Sequence, residues 1–265
     1  MDRKHQRSLF SRYFFPLAVV GVYAFMYLPI LVLMFFSFND SESSYQWASF
    51  TTRWYQEVFA SVEIWDSLMN SLIVASTSVV LSLVIGVCLV FYSANTKIKN
   101  LYLLFYGNLA VPEIVLAVAM LSFFSLCSFP MGITTLIAGH TLLGLGYVVP
   151  IVQASFMELN DRFSEASMDL GATQTQTLNK VILPLLRPAL LASAILVFII
   201  SLDDFVISFF CSGSATQTLP IYIFSLIRTG ASPIASALST VLLGVSSILV
   251  LIFSSLQVRK AGVWR

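Results

Sequence analysis

The chain has 265 residues, of which 58% are hydrophobic and 10% charged, with 22 phenylalanines and a formal net charge of +1. Soluble domains carry about a quarter charged residues, so this composition excludes an ordinary globular protein and defines an all-α membrane protein. Thinly spread Lys and Arg also exclude nucleic acid as a partner, because binding phosphates needs a basic surface.

A basic tail, residues 1–13, carries Arg3, Lys4, Arg7 and Arg12 and leads into an apolar run at 14–38. That run is too long for a secretory signal and lacks a small-x-small cleavage site, so it is expected to stay as an anchor. Crossing a hydrocarbon layer of about 30 Å takes roughly 20 helical residues. Further runs of that length lie at 67–92, 101–126, 132–153, 188–210 and 234–257, giving six expected transmembrane helices. Between the first two, loop 39–66 holds Trp47, Trp54 and Trp65 with Tyr45 and Tyr55, the composition of an interfacial aromatic belt. Pro29, Gly86, Pro112 and Pro150 weaken helix ladders inside the spans and predict kinks. The apolar segment 219–224 is too short to cross and is expected to be re-entrant or interfacial. Without long internal repeats or low-complexity stretches, residues 1–265 read as a single transmembrane domain.

In a six-span arrangement Arg3, Lys4, Arg7, Arg12, Lys97, Lys99, Arg162, Lys180, Arg187, Arg259, Lys260 and Arg265 fall on one side. Arg53 and Arg228 fall on the other. The positive-inside rule then places the tail 1–13, the loop 154–187 and the C-terminal segment 258–265 in the cytoplasm. Cys88, Cys127 and Cys211 are far apart and imply no disulfide framework and no metal site. His5 sits in the basic tail and His140 in an apolar run without a second His or an acid at ligand spacing, so a structural or incidental role is expected for both. No cofactor is implied in this chain.

Three carboxylates, Glu113, Asp203 and Asp204, fall inside expected spans. A charge at the helix centre costs about 2.5–3.5 kcal/mol on insertion scales, so such residues face a bundle interior or a wet cavity. Pairing with neighbouring helices, or hydration near the outer interface, is the structural alternative. No Lys or Arg lies within a span to neutralise them, which favours an acid-lined path for a cation. Successive helical residues point about 100° apart, so Asp203 and Asp204 cannot both face one way. Ser201 and Ser208 give Asp204 a polar face, whereas Ile200 and Ile207 flank Asp203. Asp204 is therefore expected to face the pathway, with Glu113 as second candidate and Asp203 turned toward another helix or subunit.

The loop 154–187 follows a different logic. Asp161 or Ser164 can cap a short surface helix whose first turn holds Glu165, favourable at the positive helix end. Gly171 can end that helix, and the polar stretch 173–179 resumes before Leu183-Pro184 re-enters the membrane. A helix-turn-helix presented to the cytoplasm is the result.

At these residues the chain resembles the membrane permeases of binding-protein-dependent ABC importers, whose signature is Glu-Ala-Ala, three residues, Gly, nine residues, Ile, one residue, Leu-Pro. Here it reads Glu165-Ala166-Ser167, Gly171, Val181, Leu183-Pro184, with Ser for the second Ala and Val for Ile. The likeness extends over nearly the whole chain toward polyamine-importing members, through Trp54-Tyr55, Val111-Pro112-Glu113-Ile114-Val115 and Ser201-Leu202-Asp203-Asp204-Phe205. It implies a type I importer permease fold in a bacterial inner membrane, with a cytoplasmic coupling helix. Ser164, Glu165, Ala166, Ser167, Asp169, Gly171, Leu183 and Pro184 would be its coupling residues. The chain lacks a Gly-x-x-x-x-Gly-Lys-Ser/Thr phosphate loop, so it is not expected to be an enzyme. ATP and Mg would be bound by an ATPase subunit dimer. The other implied partners are a companion homologous permease, a periplasmic substrate-binding protein and membrane lipid, with spermidine or putrescine as cargo. The alternatives are an ABC permease for another small solute, or a self-contained cation-coupled secondary transporter using the same three acids.

Overall fold

The computed structural model describes residues 3–41, 46–94, 102–108, 110–159, 162–213, 216–230 and 232–262, with side chains for most of 14–248. Tyr45, Lys97, Lys99, Asp161 and Arg265 lie outside the described residues. Helix follows helix along the chain: α1 (Arg3–Phe36), α2 (Arg53–Ala60), α3 (Val62–Ala94), α4 (Leu103–Asn108), α5 (Glu113–Leu126) and α6 (Ile133–Glu158). Then come α7 (Arg162–Asp169), α8 (Gln174–Thr177), a π-helical segment (Leu178–Ile182), α9 (Leu183–Asp203), α10 (Val206–Cys211), α11 (Leu219–Arg228) and α12 (Ser232–Gly262). The chain forms two compact units, Met1–Ser61 with Ile223–Arg265, and Val62–Tyr222.

By length and composition four stretches can each cross a membrane: Phe14–Phe36, Val62–Ser93, Ile133–Glu158 and Gln174–Asp203. The remaining expected spans differ in an informative way. Residues 234–257 lie within α12, but 101–126 is not one helix: α4 stops at Asn108 and α5 begins at Glu113. Pro112 explains the break, since it has no N–H to give and pushes Val111 out of helical geometry. The span expected at 188–210 is also interrupted, because Asp204 is extended at φ −68° and ψ 119°. Its helix starts earlier than Leu183-Pro184, running from Gln174 through the π segment into α9 without a gap. Pro184 lies just past the π segment, where the Leu183 N–H bonds Leu178 O, five residues back. A local π turn of this kind inserts one residue into an α-helix.

In the first unit, the loop after α1 is ordered by Asn39. Its side chain takes a bond from Ala48 N at 2.9 Å and gives one to Gln46 O at 2.7 Å, while its own carbonyl accepts the Trp54 indole N–H at 2.8 Å. Trp54 is therefore a buried anchor rather than a belt residue, at 4% exposure. Trp47 stacks on Phe35 with ring centroids 4.5 Å apart, and Tyr55 bonds Ser37 at 2.6 Å.

The second unit is built on α3, α6 and α9. Its core joins Val87, Val90, Val148, Val149, Val152 and Val197 with Leu178 and Ile182 of the π segment. Lipid removes the hydrophobic drive between such helices, so close backbone approach and interhelical hydrogen bonds decide the packing. Ser78 and Ser82, one turn apart on α3, donate to Ile137 O at 3.3 Å and Thr141 O at 3.0 Å on α6. Gly86, one turn further, leaves room for Val148, whose Cγ1 would lie 2.6 Å from an added Cβ. Gly144 does the same for Ser82 and Val197. The short segment 219–224 belongs to the ten-residue α11. Its start is held to α3 by Leu219 N donating to Ser71 Oγ at 2.8 Å and by Asn70 Nδ2 donating to Gln217 O at 3.0 Å.

Candidate functional site

The loop after α6 folds as its residues dictate. α7 carries Glu165 in its first turn and ends in a Schellman motif. Gly171 N–H bonds Met168 O at 2.9 Å and Ala172 N–H bonds Ser167 O at 3.1 Å. Gly171 has φ +86°, a conformation that glycine adopts without the steric cost other residues meet. Thr173 then caps α8 in a box with Gln176, each side chain taking the other's backbone N–H, at 3.3 and 2.9 Å. Ser167 Oγ lies 3.0 Å from Thr177 Oγ1 and ties the two arms together.

Glu165, Ala166 and Asp169 are exposed, Ser164 and Ser167 half-buried. Ser164 falls inside the first turn of α7 rather than at its cap. Phe163, Met168 and Leu170 are exposed apolar residues, Leu170 at 90%. Between the arms lies a groove of about 500 Å³ lined by Phe163, Ala166, Ser167, Gln176 and Lys180. Leu183 and Pro184 begin α9 and are half-buried beneath this loop. The sequence motif is thus one connected piece of structure.

The acids come together differently from their sequence reading. Because the helix breaks at Asp204, the two aspartates are not successive residues of one helix. Asp203 is exposed, whereas Asp204 is 5% exposed and serves as the cap of α10. Its oxygens accept Ile207 N at 3.3 Å and Ser208 N at 2.9 Å. His140 of α6, also buried, brings Nε2 to 3.4 Å from Asp204 Oδ2. Its ring nitrogens meet Ser201 Oγ at 2.7 Å and Ser208 Oγ at 3.2 Å. His140 is therefore not incidental, and the carboxylate it meets does have an intrachain partner. Ser201 and Ser208 were legible as a polar face; His140 was not, because its partners lie 61 and 68 residues away.

Glu113, exposed in the first turn of α5, reaches the Asp204 carboxyl. The two interrupted spans thus meet at their breaks, each with an acid at the joint. Beside Glu113 is a cavity of about 120 Å³, also lined by Asn108 and Tyr147. Neither residue stood out in sequence, since an amide and a phenol in apolar runs carry no spacing signal. No group of His, Cys, Asp and Glu among the described residues is arranged to hold a metal ion.

Helices in series that can cross a bilayer, interrupted spans meeting at paired acids, and a capped polar loop define a multi-pass transport subunit. Residues 78–261 match the family described as binding-protein-dependent transport system inner membrane component. The chain is 34% identical to the spermidine/putrescine transport system permease protein PotC of Haemophilus influenzae, over 94% of this chain and 98% of that one. It is 30% identical to the putrescine transport system permease protein PotI of Escherichia coli, over 84% of this chain and 83% of that one. A chain of the bacterial ABC transporter that imports the acidic polysaccharide alginate has the same fold, with a TM-score of 0.72 at 16% identity, covering 96% of this chain and 98% of that one. The chain belongs to the binding-protein-dependent inner-membrane transport family. It is a multi-pass permease subunit of an ABC importer and not an enzyme, ATP hydrolysis being the work of a separate subunit.

Proposed function

We propose that this permease forms half of a translocation pathway for polyamines, spermidine and putrescine, across the inner membrane. The observation that carries this reading is the meeting of Glu113 and Asp204 at the breaks of two helices. With exposed Asp203 close by in sequence, a linear polycation finds negative potential there, and the likeness to polyamine permeases along most of the chain agrees. The whole chain, 1–265, acts as one permease domain with both termini in the cytoplasm.

A companion permease supplies the other half of the pathway, and a periplasmic binding protein delivers the cargo. An ATPase dimer holding ATP and Mg drives the cycle. In this reading α7 docks on the ATPase through Phe163, Met168 and Leu170, and the Ser164–Gly171 stretch passes on the motion of nucleotide-driven closure. The test is reconstitution of the full complex and measurement of which cations, carried by the binding protein, stimulate ATP hydrolysis. Gly171→Val and Glu165→Lys are expected to abolish uptake while membrane insertion persists. Normal coupling of ATP hydrolysis to uptake in both variants would remove the role given to this loop.

A further inference from the structure

α10 has six residues, too few to hold a direction of its own. α6 supplies one. At the C-terminal end of α10, Thr135 Oγ1 donates to Cys211 O at 2.7 Å. In its first turn, Gly139 admits Ile207, whose Cγ2 would stand 2.6 Å from an added Cβ. Beside Gly139, His140 reaches across the break between α9 and α10. Its Nδ1 meets Ser201 Oγ of α9 at 2.7 Å, while Nε2 lies 3.2 Å from Ser208 Oγ of α10 and 3.4 Å from Asp204 Oδ2. α6 is itself tied to α3 on either side of this residue, where Ser78 and Ser82 donate to Ile137 O and Thr141 O.

The partners assign the ring's hydrogen. Asp204 Oδ2 already accepts the Ser208 N–H, and an acceptor of this kind is met by Nε2–H, so Nδ1 of a neutral ring accepts the Ser201 hydroxyl hydrogen. The side chains of His140 and Asp204 are each 1% exposed, which leaves neither open to a solute in this arrangement. Glu113 of α5 is exposed and hydrogen-bonded to the Asp204 side chain, so it is the member of the chain that a solute can reach. Two carboxyls bond only while one proton lies between them and their oxygens stay within about 3 Å. Asp204 stands on the break itself, so a swing of α10 against α9 would part it from Glu113.

We propose that His140 is a positioning residue for transport: spanning the break from Ser201 to Ser208, it fixes the direction from which Asp204 meets Glu113. The proposal rests on the reading above that the meeting of these two acids belongs to the polyamine pathway, and adds the group that sets their geometry. Bulk alone does not do this. A side chain of histidine's size without a donor leaves Asp204 Oδ2 short of a partner and the two serine hydroxyls untied, whereas an amide long enough to reach Oδ2 keeps the bond. His140 touches no cargo, so its loss changes how fast the cycle turns rather than how well a loaded binding protein docks.

The test uses the whole transporter in proteoliposomes, well below the unfolding midpoint of every variant. Uptake of spermidine and of 1,4-diaminobutane is measured per co-purified complex against the concentration of loaded binding protein. His140→Met, similar in size but without a donor, is expected to cut the maximal rate about tenfold, with the half-saturating concentration of binding protein within about twofold of the parent. His140→Gln, whose amide N–H reaches toward Oδ2, is expected to stay within about threefold of the parental rate. A histidine that only filled space would lower the unfolding midpoint on replacement and leave the rate per assembled complex unchanged. If the methionine variant does not co-purify with the other subunits, His140→Asn, polar but too short to reach Oδ2, takes its place with the same expectation. A parental maximal rate in that variant, an equal loss in the glutamine variant, or a change confined to half-saturation overturns the positioning role. If the unaltered transporter imports neither amine, the polyamine reading itself falls, an outcome distinct from variants that all behave like the parent.

Discussion

His140 and Asp204 form a buried joint at which α6, α9 and α10 meet, and the stability of the break depends on it. Removing a group that leaves buried donors or acceptors without partners costs about 1–3 kcal/mol, and losing an N-cap costs about 1 kcal/mol. His140→Leu and Asp204→Ala are therefore expected to lower the thermal unfolding midpoint of the purified complex. Asp204→Asn is expected to lower it less, because asparagine still caps α10. Equal midpoints for the alanine and asparagine variants would show that capping contributes nothing at this break. The acids themselves were legible in sequence because a carboxylate among apolar residues stands out. Which of them is buried was not, because that depends on a helix ending at Asp203 and on a histidine brought from another helix. Asp161, one expected cap for α7, lies outside the described residues, whereas Gly171 stands where the positive-φ turn demands it.

Among elements, α3 and α6 show how the bundle is fastened. Gly144 has Ser82 and Val197 against it, with Val197 Cγ1 2.9 Å from an added Cβ, while Gly244 of α12 has nothing within 4 Å. Gly144→Ala is expected to destabilise by about 1–3 kcal/mol through overpacking. Gly244→Ala is expected to be neutral or mildly stabilising, since alanine is the better helix former. Thermal unfolding of the two variants side by side decides it, and equal behaviour would rule out close approach as the source of packing at Gly144. Composition and run length revealed these helices well, because about 20 apolar residues in a row have few other uses. Their interruptions were harder to read: Pro112 predicts a kink, whereas the split found there is accompanied by a bond from Asn108 to Leu142 O on α6, which run length does not show.

For the whole molecule, the unequal charge of the loops is expected to set the orientation. With Cys88 and Cys127 replaced, single cysteines placed in the tail 1–13 or in 258–265 are expected to resist a membrane-impermeant maleimide in intact spheroplasts. A cysteine in loop 39–66 is expected to react. Labelling of the termini from outside would reverse the orientation and, with it, the side on which α7 works. The four stretches able to cross a membrane were all anticipated near their places from hydropathy, whereas the anchoring of the loop after α1 by Asn39 and Trp54 was not. That contact needs a carbonyl to meet an indole fifteen residues further on, and hydropathy is blind to it.

From Gln174 to Asp203 the backbone is one unbroken rod of 30 residues, about 45 Å at 1.5 Å per residue. One of its ends borders the groove beside α7; the other ends next to the acid joint. The extra residue in 178–182 sets the angular phase between those ends. Wound as ordinary α-helix with its extra residue kept, that segment would turn everything beyond it by about 100°. Asp204 would then lose its bearing on His140 although no side chain near either had changed, so the angle at which the rod is set is as much a part of this permease as any residue along it.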